Sequence, residues 1–148
     1  RLFFTREAGL VGTLVFSSTI LGFFCGGASI VDFTLAACVG GALTAFAQVT
    51  ARRDSSGNSW PGMLFFVAAA LGFMTKGPVA LVLIAIPVAG WSVASRNWVP
   101  LRTLPWVAGL AAFFLLTWPW FYLSERANPG FTRYFFLQEN VGRFLFSN

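Results

Sequence analysis

Five apolar runs, at about residues 8–24, 30–50, 60–75, 78–94 and 104–123, limit what this chain can fold into. A helix needs roughly 20 residues to cross a hydrocarbon core of about 30 Å, and each run comes near that length. The third and fourth are at the short end. Hydrophobic residues make up 57% of the 148 positions and charged residues 10%, whereas a soluble domain carries roughly 25% charged residues. Too little polar surface exists to enclose these runs in water. In lipid, each backbone N–H and C=O must be satisfied within its own helix. The expected fold is therefore all-α: a polytopic membrane helix bundle of about five transmembrane helices.

The third and fourth runs could form one helix only if Gly77 and Pro78 sat in its middle. That helix would be too long for one span. Pro78 disfavours helix at Gly77 and suits the first turn of a new one. The sequence therefore predicts a tight hairpin turning at Lys76 and Gly77. It also puts Lys76, the sole charge between Asp54 and Arg96, at a membrane face.

Orientation follows from the basic residues. Arg1 and Arg6, Arg52 and Arg53, and Arg96 and Arg102 fall at alternate ends of the runs, and the positive-inside rule assigns that side to the cytoplasm. Trp60, Trp91, Trp98 and Trp106 then lie near the inner face, and Trp118 and Trp120 near the outer one. Asp32, Lys76, Glu125, Arg126, Arg133, Glu139 and Arg143 are all expected at the outer face. The two Arg residues before the first run could imitate a secretory leader. Four further runs follow without a cleavage-site pattern, so a span is the better reading.

A net charge of +5 does not make this a nucleic-acid-binding chain. Its ten basic residues are spread thinly between apolar runs rather than gathered in a stripe. Cys25 and Cys38 lie in apolar contexts without a CxxC pattern and read as small hydrophobes. With no His and no paired Cys motif, a metal site built from this chain alone is not expected, and no cofactor is expected either. Gly22 and Gly26, and the Gly40-Gly41 pair, read as sites of close helix packing.

Three places could carry chemistry. Asp32 opens the second run, where it can complement a helix N-terminus or line a polar cavity. Lys76 can snorkel to the headgroups as an anchor, or face an anion beside the helix that starts at Pro78. The C-terminal stretch opens with Asn128-Pro129, which reads as an N-cap and first helical position. Tyr134, Leu137, Val141 and Phe144 then form one apolar stripe, which predicts an amphipathic helix lying in the outer interface. Arg133, Glu139, Asn140 and Arg143 fall largely off that stripe. Glu139 and Arg143 are spaced for a surface ion pair worth about 0.3–0.5 kcal/mol, while an arginine fork also suits a phosphate.

Two stretches resemble a known family. "GFMTKGPVALVLIAIPVAGW" and, further on, "PWFYLSERANPGFTRYFFLQENVGRF" look like the bacterial protein-mannosyltransferase-like and aminoarabinose-transferase-like glycosyltransferases of the class C fold. That family has a TKGP turn between two membrane helices and a later NPxFxxYFFxxExxxRF stretch. "IVDFTLAA" is similar to its T-D-x-P-L helix start, with Val31 for Thr and Thr34 for Pro. The resemblance implies transfer of a sugar from a polyprenyl-phosphate carrier, such as undecaprenyl phosphate, to a lipid, glycan or protein acceptor. The bacterial inner membrane and its extracytoplasmic face are the implied location.

By the same resemblance, residues 1–148 are part of one transmembrane glycosyltransferase domain. The N-terminal helices, the first extracytoplasmic loop with the base aspartate, and a C-terminal remainder would lie outside it. Asp32 matches an auxiliary acidic residue beside the cavity. Lys76 and Arg143 match positions facing the carrier phosphate. Glu139, Asn140, Tyr134 and Arg133 belong to the site-lining motif. Some relatives carry a His after the motif's Glu that can join a metal site; Asn140 stands there, so no metal is carried over. The partners implied are the lipid-linked donor, the acceptor and membrane lipids, with no nucleic acid. The competing classes are a transporter, which would place charges or broken helices at mid-membrane depth, and a non-catalytic membrane scaffold.

Overall fold

The computed structural model describes residues 5–18, 30–51 and 60–136. These are helical, joined by short turns, with no strand among the described residues. The helices are α1 (Arg6–Ser18), α2 (Ile30–Ala51), α3 (Trp60–Lys76), α4 (Pro78–Ala94), α5 (Val99–Thr103), α6 (Trp106–Ala127) and α7 (Phe131–Arg133). Beyond α7 the chain widens into a π-type turn at 134–136. The all-α expectation holds. Two helices, over Asp32–Ala51 and Trp106–Ala127, are long and apolar enough to cross a membrane, while α3 and α4 are shorter apolar helices.

Helix α3 is the centre of the bundle and packs against α2, α4 and α6. Small side chains are buried along both α2 and α3: Ala42 and Ala45 on the first, Ala68, Ala69 and Ala70 on the second, and Gly41 of α2 lies against Ala68 of α3. Small residues let two backbones approach closely, and that proximity provides the van der Waals contact that drives helix association in lipid. Larger groups fill the space beside them, including Phe46, Phe66, Ile84, Val88 and Leu104. Between α3 and α6 the approach is closer still. A methyl at Gly109 would fall inside the Phe66 ring, and one at Gly62 would collide with Pro105. Both positions need glycine for space.

Away from these contacts the helices stay apolar and uncovered. Val107 is 87% exposed, Leu115 76% and Trp118 72%, all on α6. A soluble helix presents polar residues on such a face, so these surfaces fit lipid. The described residues of α1 are also exposed along their length.

The α3–α4 turn forms where the sequence predicts it. Gly77 N–H donates to the Phe73 carbonyl at 2.7 Å and closes α3. Gly77 itself has φ 62, a left-handed value that glycine reaches at no steric cost. Pro78 opens α4 at the position where a missing N–H costs nothing.

Three expectations need correction. The fifth run does not start its helix at Leu104, because Pro105 forces the preceding residue out of helical geometry (φ −60, ψ 138). Leu104 tucks into the core instead, at 4% exposure. At its other end the helix continues past Leu123 to Ala127, through Glu125 and Arg126, which are good helix formers that hydropathy discounts. Finally, Asn128-Pro129 does not open the next helix. Asn128 ends α6 in an extended conformation, and Gly130, with φ 92, is the residue before α7. Residues 19–24 of the first run, Gly22, Gly26, Cys25 and the loop 52–59 lie outside the described residues.

Candidate functional site

The antiparallel packing of α2, α3, α4 and α6 brings the start of α2, the end of α3, the start of α4 and the end of α6 to one end of the bundle. Asp32 is in the first turn of α2 and Lys76 is the last residue of α3. The ammonium and carboxylate of these two residues form a direct ion pair. Each charge also complements its own helix, the acid at an N-terminus and the base at a C-terminus. The pair is open: Lys76 is 38% exposed and Asp32 53%. Within this chain, part of the ammonium is therefore left uncovered.

One turn below Lys76, Phe73 holds an aromatic floor. Its ring lies 5.4 Å from Phe113, 5.8 Å from Phe121 and 6.0 Å from Phe136. Phe121 stacks on Phe136 at 5.5 Å, and Trp120 meets Phe131 edge-on at 5.6 Å. These contacts fold residues 131–136 back onto the ends of α6 and α3. Arg133 and Tyr134 ride on that returning segment, both exposed at the surface. So Asp32, Lys76, Arg133 and Tyr134 belong to the same end of the bundle. Glu139, Asn140 and Arg143 lie outside the described residues, as does most of the expected amphipathic helix.

Glu125 is a residue that the sequence did not single out as functional. Gly130 N–H donates to one of its carboxylate oxygens at 2.8 Å and Thr132 N–H to the other at 2.7 Å. Both oxygens are thus committed to the turn between α6 and α7. A signal was available: an acid in the last turn of a helix opposes the helix dipole and needs a local donor. Next to it, the Arg126 guanidinium sits 5.1 Å from the centre of the Tyr122 ring.

The opposite end of the bundle carries Arg96 and Arg102. There an open recess of about 380 Å3 is lined by Trp98, Leu101, Arg102 and Trp106. The Trp106 indole N–H donates to the Leu101 carbonyl at 2.8 Å. Ring contacts of Phe46 with Trp91 and of Phe66 with Trp106 mark the same level. No group of three or more potential metal ligands occurs among the described residues.

Comparison with known proteins adds the following. Residues 1–122 match the family model described as dolichyl-phosphate-mannose-protein mannosyltransferase. The chain is 36% identical over 143 residues to undecaprenyl phosphate-alpha-4-amino-4-deoxy-L-arabinose arabinosyl transferase 1 of Sodalis glossinidius; the match covers 94% of this chain and 25% of that protein. The Edwardsiella ictaluri protein of the corresponding name is 28% identical over 148 residues, covering 100% of this chain and 27% of its own. The Serratia proteamaculans one is 31% identical, covering 97% and 25%. The chain thus spans about a quarter of the length of these relatives. No solved structure matches it.

Proposed function

The chain belongs to the dolichyl-phosphate-mannose-protein mannosyltransferase family, and from that premise we propose that it is the carrier-binding part of a membrane glycosyltransferase. The donor is a sugar on a polyprenyl phosphate, with undecaprenyl phosphate-linked aminoarabinose the first to try. The chain contributes about five transmembrane helices to a larger multi-pass domain in the bacterial inner membrane. Its Lys76 end faces away from the cytoplasm. The acceptor is a lipid, a glycan or a protein.

The observation that carries this reading is the accessible Lys76–Asp32 pair at the hairpin end of the bundle. In such a reaction the acceptor nucleophile attacks the anomeric carbon, and the bond from that carbon to the phosphate oxygen breaks. A base, by the family resemblance an aspartate in an extracytoplasmic loop, takes the nucleophile's proton. The carrier leaves as a phosphate monoester, so its negative charge grows as the bond breaks. A cation held beside that oxygen stabilises the transition state more than the bound donor. Lys76 is the cation at hand, and Asp32 holds its ammonium at the rim while leaving part of it open. Arg143 supplies a second, forked donor from the C-terminal stretch, with Arg133, Tyr134, Glu139 and Asn140 lining the site. Charge placement also argues against a transport path. In α2 to α6 the charged residues Asp32, Lys76, Arg102, Glu125 and Arg126 sit at helix ends rather than midway, whereas a path across both leaflets uses groups at mid-membrane depth.

The test is transfer by the full-length protein in liposomes supplied with the undecaprenyl-phosphate-linked sugar. Removing one donor to a developing oxyanion costs about 10²–10³ in rate. Lys76→Ala and Arg143→Ala should each lower transfer by about that much. Unchanged transfer in both variants would refute the carrier-phosphate assignment.

A further inference from the structure

Glu125 is placed where a carboxylate is unfavourable and is held there by the chain that follows. The last turn of α6 presents unpaired carbonyls and the negative end of the helix dipole. An acid at that position gains nothing from its own helix. Both of its oxygens instead accept backbone N–H groups beyond the turn, from Gly130 at 2.8 Å and Thr132 at 2.7 Å. The two bonds bracket Phe131, whose N–H is itself tied to the Asn128 carbonyl at 3.0 Å. Gly130 adopts φ 92, which lets the chain reverse sharply just there. Glu125 therefore fixes the direction in which residues 131–136 leave the bundle end.

That direction matters because of what the segment touches. Phe131 meets Trp120, Phe135 meets Phe121 at 5.5 Å, and Phe136 reaches Phe73 at 6.0 Å, one turn before Lys76 on α3. Arg133 and Tyr134 are carried between these anchors. We propose that Glu125 is a positioning residue for donor binding. Its carboxylate clamps the turn after α6 so that the segment bearing Arg133 and Tyr134 returns onto the α3 end that bears Lys76. This inference rests on the glycosyltransferase reading above. Glu125 touches no reacting atom in it.

The experiment uses the full-length protein and undecaprenyl-phosphate-linked aminoarabinose as donor, with Glu125→Gln, Glu125→Ala and Lys76→Ala compared with wild type. Gln keeps one acceptor oxygen and loses the other, so it remains a usable variant if Ala impairs folding. A clamp that positions binding groups predicts a donor KM that rises about threefold in Glu125→Gln and about tenfold in Glu125→Ala, the latter equal to about 1.4 kcal/mol, with kcat within about twofold of wild type. Loss of kcat and thermal stability together with an unchanged KM would mean a merely structural clamp and would overturn the proposal. So would wild-type kinetics in both Glu125 variants while Lys76→Ala falls in kcat/KM. If Lys76→Ala is also unaffected, the functional reading itself fails and takes this inference with it.

Discussion

Gly109→Ala tests the packing that holds the site's framework together. The added methyl would lie inside the Phe66 ring, and Phe66 is only 4% exposed, so it has little room to move. Either α6 backs away from α3 or Phe66 leaves its rotamer. Overpacking of this kind costs about 1–3 kcal/mol. Moving Phe66 also disturbs its edge-on contacts with Phe65 at 5.3 Å and Trp106 at 5.4 Å, each worth about 0.5–1.5 kcal/mol. The expected loss is therefore about 2–6 kcal/mol if both contacts are lost, reduced by up to about 1 kcal/mol by the better helix propensity of alanine.

Two other glycines on the bundle's contacts calibrate it. A methyl at Gly41 would meet Ala68 at 3.8 Å, an ordinary contact, and alanine is the better helix former by up to about 1 kcal/mol. Gly41→Ala should be neutral or mildly stabilising. A methyl at Gly72 would meet Ala80 at 3.3 Å and Cys38 at 3.4 Å, so Gly72→Ala should lose about 1 kcal/mol. Thermal unfolding of the full-length protein in detergent, at one scan rate, should rank the midpoints in the order Gly41→Ala, Gly72→Ala, Gly109→Ala. Gly109→Ala melting with the wild type, or Gly41→Ala falling as far as Gly109→Ala, would refute the helix packing described.

Two further outcomes follow from the same geometry. Because Lys76 and Asp32 are 38% and 53% exposed, Lys76→Met and Asp32→Asn should each change stability by less than about 1 kcal/mol; a double-mutant cycle in the full-length protein that returns several kcal/mol would show a buried structural pair instead. Ser95 and Asn128 end α4 and α6 at opposite ends of the bundle. In a full-length protein with Cys25 and Cys38 replaced, Asn128→Cys should react with a membrane-impermeant maleimide in cells with a permeabilised outer membrane. Ser95→Cys should react only after the inner membrane is opened, and the reverse pattern would invert the topology.

The sequence reveals much of this fold because lipid narrows the options. The bounds of α4 follow from Pro78 and from the polar residues after Ala94, and the hairpin at Gly77 follows from one Gly-Pro pair. The approximate ends of α2 and α3 are equally visible. Hydropathy alone was blind to boundaries set by backbone chemistry. Pro105 delays the start of α6, the short α5 sits in what reads as a connection, and α6 runs four residues beyond the apolar run. For the site, the pattern of charges put Asp32 and Lys76 on one side, but their pairing depends on the antiparallel packing of α2 and α3. Glu125 was hidden for a similar reason, since its partners are backbone groups five and seven residues on. The motif at Asn128-Pro129 misled because Asn and Pro suit helix starts and turns alike, and here the left-handed Gly130 decides for a turn.

If the functional reading holds, Lys76 faces the phosphate of a polyprenyl carrier. Equilibrium binding of undecaprenyl phosphate to the purified full-length protein tests it most directly, with wild type, Lys76→Arg and Lys76→Ala compared at low and high salt. Binding should weaken at least about tenfold in Lys76→Ala, be partly retained in Lys76→Arg, and depend less on salt once the ammonium is gone. The same affinity and the same salt dependence in all three proteins would contradict it.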